Sequence, residues 1–402
     1  MPFLNRKKIV NVQKIFIILI LVISAYFVLI WKARDRCWED RYWGLKILQD
    51  DDRNTYYERG LWLIDKTIPY KTSFQEYPQL AAYLFALPHI LKPNLSQYRI
   101  IFSGIMVFIF LIATFILFRI IKLLNGNYKN LLILVFPSML YYSFNRFDLL
   151  PAVFSILSLL LILREKNNLA FFILGLAIMS KWYPIIYVPL YLNYIYKNPQ
   201  SQEKKWPELL KPILVLLFTM GLFCLHTILW VGIDGFLMPY KFHWQRGDNS
   251  ESLFYFIKFL LNTSTKYNFA KYLFFILQFI SIPILLIMSM RGKEGLIVSM
   301  GIATLSFIIF SKFHSPQWLV WASPILLLVK DKFTFIFLLI YDSATYVYFP
   351  LGSDLCNRLC DNQFIANSFF EIIIFFNVLI KIFIIFWLFK KLYFIKKRSA
   401  VI

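Results

Sequence analysis

From residue 100 to residue 118 the chain carries no charged side chain. An apolar run of that length is long enough for a helix to cross a bilayer. Comparable runs recur to the end of the chain, and most are closed by Lys or Arg. Apolar residues make up 59% of the 402 residues and charged ones only 16%, so lipid must be the solvent for most of the surface. The runs are unbroken and do not alternate, which argues against a β-barrel. The expectation is an all-α polytopic membrane protein forming a single domain over residues 1–402.

The net charge of +21 would suggest nucleic acid as a partner in a soluble protein. Here the basic residues sit at the ends of apolar runs, so they read as positive-inside topology and contact with membrane lipid, with no nucleic acid. Residues 15–31 follow Arg6, Lys7, Lys8 and Lys14, lack a small-residue cleavage site, and read as a retained signal anchor. Placement of Lys and Arg gives about twelve crossings in a cell membrane, with both termini cytoplasmic. Residues 77–91 are apolar but short and contain Pro88-His89, so they read as a helix lying in the outer interface. A full crossing there would put Arg119, Lys122 and Lys129 outside. Three extracytoplasmic loops result: 32–97, which is large and holds short interfacial helices, then 233–268 and 350–367. Cys224 lies in an apolar run and reads as packing. Cys37, Cys356 and Cys360 fall outside, where a disulfide is permitted, and no cysteine spacing suggests a metal site.

Every mixed polar and aromatic cluster then falls on the outer side, while the inner loops are short and basic. One-sided chemistry suits a membrane enzyme working at one leaflet. A transporter would place polar groups at mid-membrane on repeat-related broken helices, and no internal repeat is evident. In the first loop, Asp50-Asp51-Asp52 is either a solvated turn or a source of a catalytic base. Tyr56, Pro69-Tyr70 and Glu76-Tyr77-Pro78 would anchor that loop at the interface and favour the second reading. Arg146 and Asp148 read as an ion pair or as substrate contacts. Lys181, in a Lys-Trp-Tyr-Pro turn with Tyr183, either snorkels or faces a lipid phosphate. Arg246, Glu251 and Ser252 open a helix that Asn249 or Ser250 would cap, and such an N-terminus can receive phosphate. His314 and Gln317, in His-Ser-Pro-Gln-Trp, are either packing or ligand contacts.

In order, the motifs are Asp52 to Tyr56, Pro69-Tyr70, Tyr77-Pro78, Arg146 to Pro151, Gly175 to Pro184, Arg246 to Ser252 and Ser315 to Trp321. This series resembles the membrane mannosyltransferases of glycosyltransferase family 87. It departs from their pattern at Gln79, where a second proline is usual, and Asp50 or Asp51 are alternatives to Asp52. The resemblance implies a C-type glycosyltransferase fold and a polyprenyl-phosphate sugar donor, most simply polyprenol-phosphate-mannose. It implies inverting transfer to a hydroxyl of a glycolipid, polysaccharide or protein acceptor at an extracytoplasmic site. Asp52 would be the general base. Asp51, Tyr56, Glu76, Tyr77, Arg146, Asp148, Lys181, Tyr183, Arg246, Glu251, His314 and Gln317 would contact substrate, with Lys181, Arg246 and His314 facing the departing phosphate. A lipid phosphate already leaves well, so no second carboxylate acid is required, in contrast to glycoside hydrolysis. No nucleotide-binding glycine loop occurs, in keeping with a lipid-linked donor. No cofactor is expected, and a divalent metal stays open. The alternatives are a transporter or flippase of lipid-linked sugar, and a C-type transferase using another polyprenyl-phosphate sugar.

Overall fold

The computed structural model describes residues 6–32, 52–65, 67–198, 205–249, 251–261, 267–288, 292–352 and 363–399. These residues form helices and turns, with one isolated bridge between Pro69 and Ser73. The helices are α1 Arg6–Lys32, α2 Asp52–Gly60, α3 Gln79–Ala86, α4 Leu95–Leu124, α5 Pro137–Asn145, α6 Leu149–Ile162, α7 Asn167–Ser180, α8 Tyr187–Lys197 and α9 Lys205–Gln245. They continue as α10 Leu253–Leu261, α11 Tyr267–Phe279, α12 Ser281–Met288, α13 Gly292–Ile309, α14 Leu319–Leu326, α15 Lys332–Tyr346 and α16 Gln363–Ser399. The protein is an all-α membrane protein.

The long elements follow directly from the apolar runs. In α4, Asn94 and Gln97 close a reciprocal capping box, and Asn125 ends the helix in the left-handed conformation. Among the described residues, six helices are long and apolar enough to cross a membrane, or seven if the bent pair α5–α6 is one span. The twelve crossings expected from charge placement would have to draw on shorter helices as well. At about 1.5 Å per residue, the 14-residue α7 reaches only about 21 Å, short of a full hydrocarbon core. The apolar run at residues 131–144 is a 3-10 turn, Tyr128–Val135, followed by α5. Pro137 sits at the first turn of α5 and lacks the N–H that would extend a helix upstream.

The stretch 233–268 is largely helical. Helix α9 continues through it to Gln245, changing direction at Gly232, whose φ of 78° is a left-handed conformation that glycine tolerates. Pairing of helices is local along the chain: α6 packs on α7, α7 on α9, and α4 on α6, while α16 returns to pack on α13 and α15. Helix α13 is buried on nearly all sides. Helix α9 is exposed along most of its length, with Leu229 77% exposed, and presents its apolar surface outward as a lipid-facing helix does.

One end of this bundle is organised by a bend. Between Asn145 and Leu149 the chain turns by 106°. The start of α5 is held from across the bundle by buried Asp342 of α15. Its carboxylate accepts from the backbone N–H groups of Ser138 at 3.1 Å and Met139 at 3.0 Å. These donors have no partner within the helix, so the carboxylate acts as its cap. At the other end of α5, Arg146, Phe147 and Asp148 emerge at the bend.

Candidate active site

Asp52 opens α2, a short helix too polar to hold itself in place. Several contacts fix it. Tyr56 is buried and stacks on Phe85 with ring centroids 4.5 Å apart. Arg53 donates to Ser103 of α4 at 3.3 Å, and Arg99 donates to the Asn54 side chain at 2.9 and 2.6 Å. Gly60 lies so close to α3 that a Cβ there would sit 2.1 Å from the Phe85 carbonyl oxygen. The Asp52 carboxylate therefore stands on a rigid step at a helix N-terminus, where negative charge is favoured. It pairs with Arg146 and accepts from the Tyr56 hydroxyl at 3.4 Å.

The sequence had suggested Arg146 and Asp148 as partners of each other. The bend sends them apart. Asp148 is fully buried, and its Oδ1 accepts from Lys181 Nζ at 2.6 Å and from the Trp321 indole at 2.7 Å. Lys181 also lies over the rings of Phe147, Trp321 and Tyr77, at 4.7, 5.0 and 5.2 Å. Burial lowers the Lys181 ammonium from its usual range, and Asp148 opposes that shift. Tyr183 stacks on Trp321 at 4.3 Å and completes this wall.

Opposite stands Arg246. It covers the Phe313 ring at 3.4 Å and approaches Glu76 to 4.0 Å. His243 hydrogen-bonds the Glu76 carbonyl at 2.8 Å. Glu251 follows, its carboxyl raised to about 7 by burial. The helix after it is capped by Ser252, which accepts from Tyr255 N–H at 3.1 Å. Of the expected caps, Asn249 instead grips the His314 backbone through both N–H and carbonyl, at 2.9 and 2.6 Å, and Ser250 lies outside the described residues. Gln317 accepts from Ser315 at 2.7 Å.

These groups surround a polar cavity of about 340 Å³. Asp52, Tyr56, Glu76, Tyr77, Arg146, Lys181, Arg246, Glu251 and Gln317 all line it. Asp148 lies beneath Lys181. Asp51 falls outside the described residues. His314 is drawn away: it is held behind Glu251, its Nδ1 3.8 Å from the carboxylate and its Nε2 2.8 Å from Lys381. Burial holds its imidazole well below the usual range, so it is neutral. An apolar cavity of about 510 Å³ adjoins, floored by Trp182, Phe275, Phe279 and Phe307 and lined also by Tyr183. Tyr77, Lys181, His243, Arg246, Phe313 and Trp318 line both spaces and form their junction. Lys271 and Lys312 face the apolar one.

His243, Lys271, Lys312 and Lys381 were not singled out from sequence. Lys381 carried the clearest signal, an ammonium inside an apolar run. Among the described residues no group of three or more His, Cys, Asp and Glu side chains gathers as a metal site would require.

A helical membrane bundle with carboxylates and cations around one cavity, opening on a second lined by aromatic rings, has the make-up of a membrane-embedded glycosyltransferase. Comparison with known proteins narrows the class. The chain belongs to the mannosyltransferase (PIG-M) family, whose model matches residues 143–352. It is similar to GPI mannosyltransferase 1 of Candida albicans, at 28% identity over 242 residues, which is 52% of this chain and 58% of that protein. The match thus covers less than two thirds of that relative's length. What this family shares with the one resembled by the motifs is mannosyl transfer within a membrane.

Proposed function

We propose that the chain transfers mannose from a polyprenyl-phosphate donor to a hydroxyl of a glycolipid acceptor, with inversion, on the extracytoplasmic face. The observation that carries this reading is the joined pair of cavities. The polar one offers a carboxylate and cations within the reach of a sugar, and the apolar one suits a polyprenyl tail. A glycolipid is preferred over polysaccharide or protein because the relative in Candida albicans bears the name of a GPI mannosyltransferase. The C-type fold, about twelve crossings with the short helices counted, and cytoplasmic termini belong to the same reading.

In the step itself, the acceptor oxygen attacks the anomeric carbon as the bond from that carbon to the phosphate oxygen breaks. The bond pair leaves on the phosphate, and the hydroxyl proton passes to Asp52. Arg146 pairs with that carboxylate and aims it. Charge develops on the departing phosphate, so cations fixed in a dry site stabilise the transition state more than the ground state. Arg246, at the junction of the cavities, is best placed for this. Lys312 takes the part that the sequence reading gave to His314, because His314 is neutral and faces away. Lys181 has its charge balanced by Asp148 and orients the wall, presenting at most its remaining N–H bonds.

The test uses purified protein with radiolabelled polyprenyl-phosphate-mannose and a glycolipid acceptor. Asp52→Asn is expected to cut turnover by about 10² or more, the usual yield of general base catalysis, at an unchanged melting temperature. Full turnover in that variant removes Asp52 as the base. Movement of the lipid-linked sugar between leaflets without transfer would favour a flippase instead.

A further inference from the structure

Lys381 lies in the apolar run of α16 and is 1% exposed. An ammonium inside a lipid-spanning helix is costly to keep there, and groups so placed commonly serve function. Its Nζ is 2.8 Å from His314 Nε2. When Lys381 is protonated it can only donate, and Nε2 then accepts while the single proton of the neutral imidazole resides on Nδ1. Nδ1 faces Glu251 Oε2 at 3.8 Å, an oxygen that is buried without a hydrogen-bond partner. Glu251 lines the polar cavity on one side. On the other it lines a small cleft with His314, Thr345, Tyr348, Asn377 and Lys381. The further groups acting on Glu251 are the Tyr348 hydroxyl, through a hydrogen bond, and Arg146, through its charge. Asp52 faces it across the polar cavity. A cation from α16, which lies outside the matched span 143–352, therefore stands directly behind a carboxylate of the site wall.

We infer that Lys381 is a positioning residue: through His314 it keeps Glu251 ionised and aimed into the polar cavity, where that carboxylate accepts hydrogen bonds from the hydroxyls of the donor sugar. This rests on the sugar-transfer reading above.

The experiment follows kcat/KM across the neutral pH range for the full chain in lipid nanodiscs, with polyprenyl-phosphate-mannose as donor. Wild type is compared with Lys381→Met, Lys381→Arg and Glu251→Gln. Loss of a nearby cation makes a carboxylate harder to ionise, so the acid limb should move up by about one pH unit in Lys381→Met. It should stay in place in Lys381→Arg, which keeps the charge, and in Glu251→Gln the limb near neutral pH should vanish, leaving only the limb of the base Asp52. A near-neutral limb that does not move in Lys381→Met, or that persists in Glu251→Gln, overturns the proposal. Where Lys381→Met does not yield folded protein, Lys381→Gln takes its place and must move the same limb in the same direction. If wild type shows no transfer from this donor, the donor reading fails by itself. The infrared band of the protonated carboxyl, assigned by its loss in Glu251→Gln, then carries the test: its midpoint must rise in Lys381→Met, and an unchanged midpoint refutes the role of Lys381.

Discussion

Charge at this site is managed residue by residue. Asp148, fully buried, pairs with Lys181, which is 13% exposed to the cavities, and two of the wall's aromatic rings belong to that arrangement through Trp321 and Phe147. Removing one member would strand the other, which typically costs about 3–5 kcal/mol, so this pair serves the architecture first. Lys312 differs. Burial lowers its ammonium to about 8, and Lys271 and Arg246 push in the same direction while Asp248 opposes them. Below about pH 8 Lys312 carries its charge, and as pH rises through that value the charge is lost. If it helps hold the donor phosphate, the KM for the donor must rise over that interval. Lys312→Arg, whose guanidinium stays protonated, should flatten the rise. Equal pH dependence in both proteins would take Lys312 out of the phosphate site. Composition and motif order led to Asp52, Arg246 and Glu251, because each sits in a stretch with several polar neighbours. Lys312 sat beside the chosen His314, and only the folded chain shows which of the two faces the cavity.

At the scale of elements, α5 carries the most consequence for its length. It has nine residues, too few for stability of its own, and yet it delivers Arg146 to Asp52. Its N-terminus depends on Asp342, more than two hundred residues along the chain. Asp342→Ala leaves the N–H groups of Ser138 and Met139 buried and unsatisfied, at about 1–3 kcal/mol for each orphaned group. A melting temperature lowered by several degrees, together with reduced turnover, is expected. An unchanged melting temperature would mean that water or a shifted turn replaces the carboxylate. Long elements such as α4 were legible because run length, capping residues and terminal charges agree. The α5–α6 bend was not legible. Its apolar runs read as ordinary spans, and the cap that fixes the helix start comes from a distant helix that no local pattern announces. The break in α9 was hidden for a related reason, since one glycine in an apolar run gives little sign that the helix changes direction.

Over the whole molecule, the contacts sort into two ends. Asn130 donates to the Leu327 carbonyl at 2.8 Å, Trp387 to Asp331 at 2.6 Å, and Lys391 to the Lys330 carbonyl at 2.9 Å. These tie the basic ends of α4, α14 and α16 into one region. Helix α4 spans 30 residues, about 45 Å, and carries Arg99 beside α2 near its start and Lys122 at that basic end near its finish. The separation of basic end and candidate site was legible in the placement of Lys and Arg along the sequence, because topology is selected by charge in the short loops and not by tertiary detail. On the reading proposed above, the basic end would be cytoplasmic and the cavity would face the other compartment. Single cysteines introduced for Thr72 and Glu165, both exposed, in a background lacking the native cysteines test this directly. A membrane-impermeant maleimide added to intact cells should label Thr72→Cys. It should label Glu165→Cys only after permeabilisation. Labelling of Glu165→Cys first would invert the molecule, and a donor supplied from the cytoplasm would then have to be sought; labelling of both from one side would break the separation on which a one-sided transferase depends.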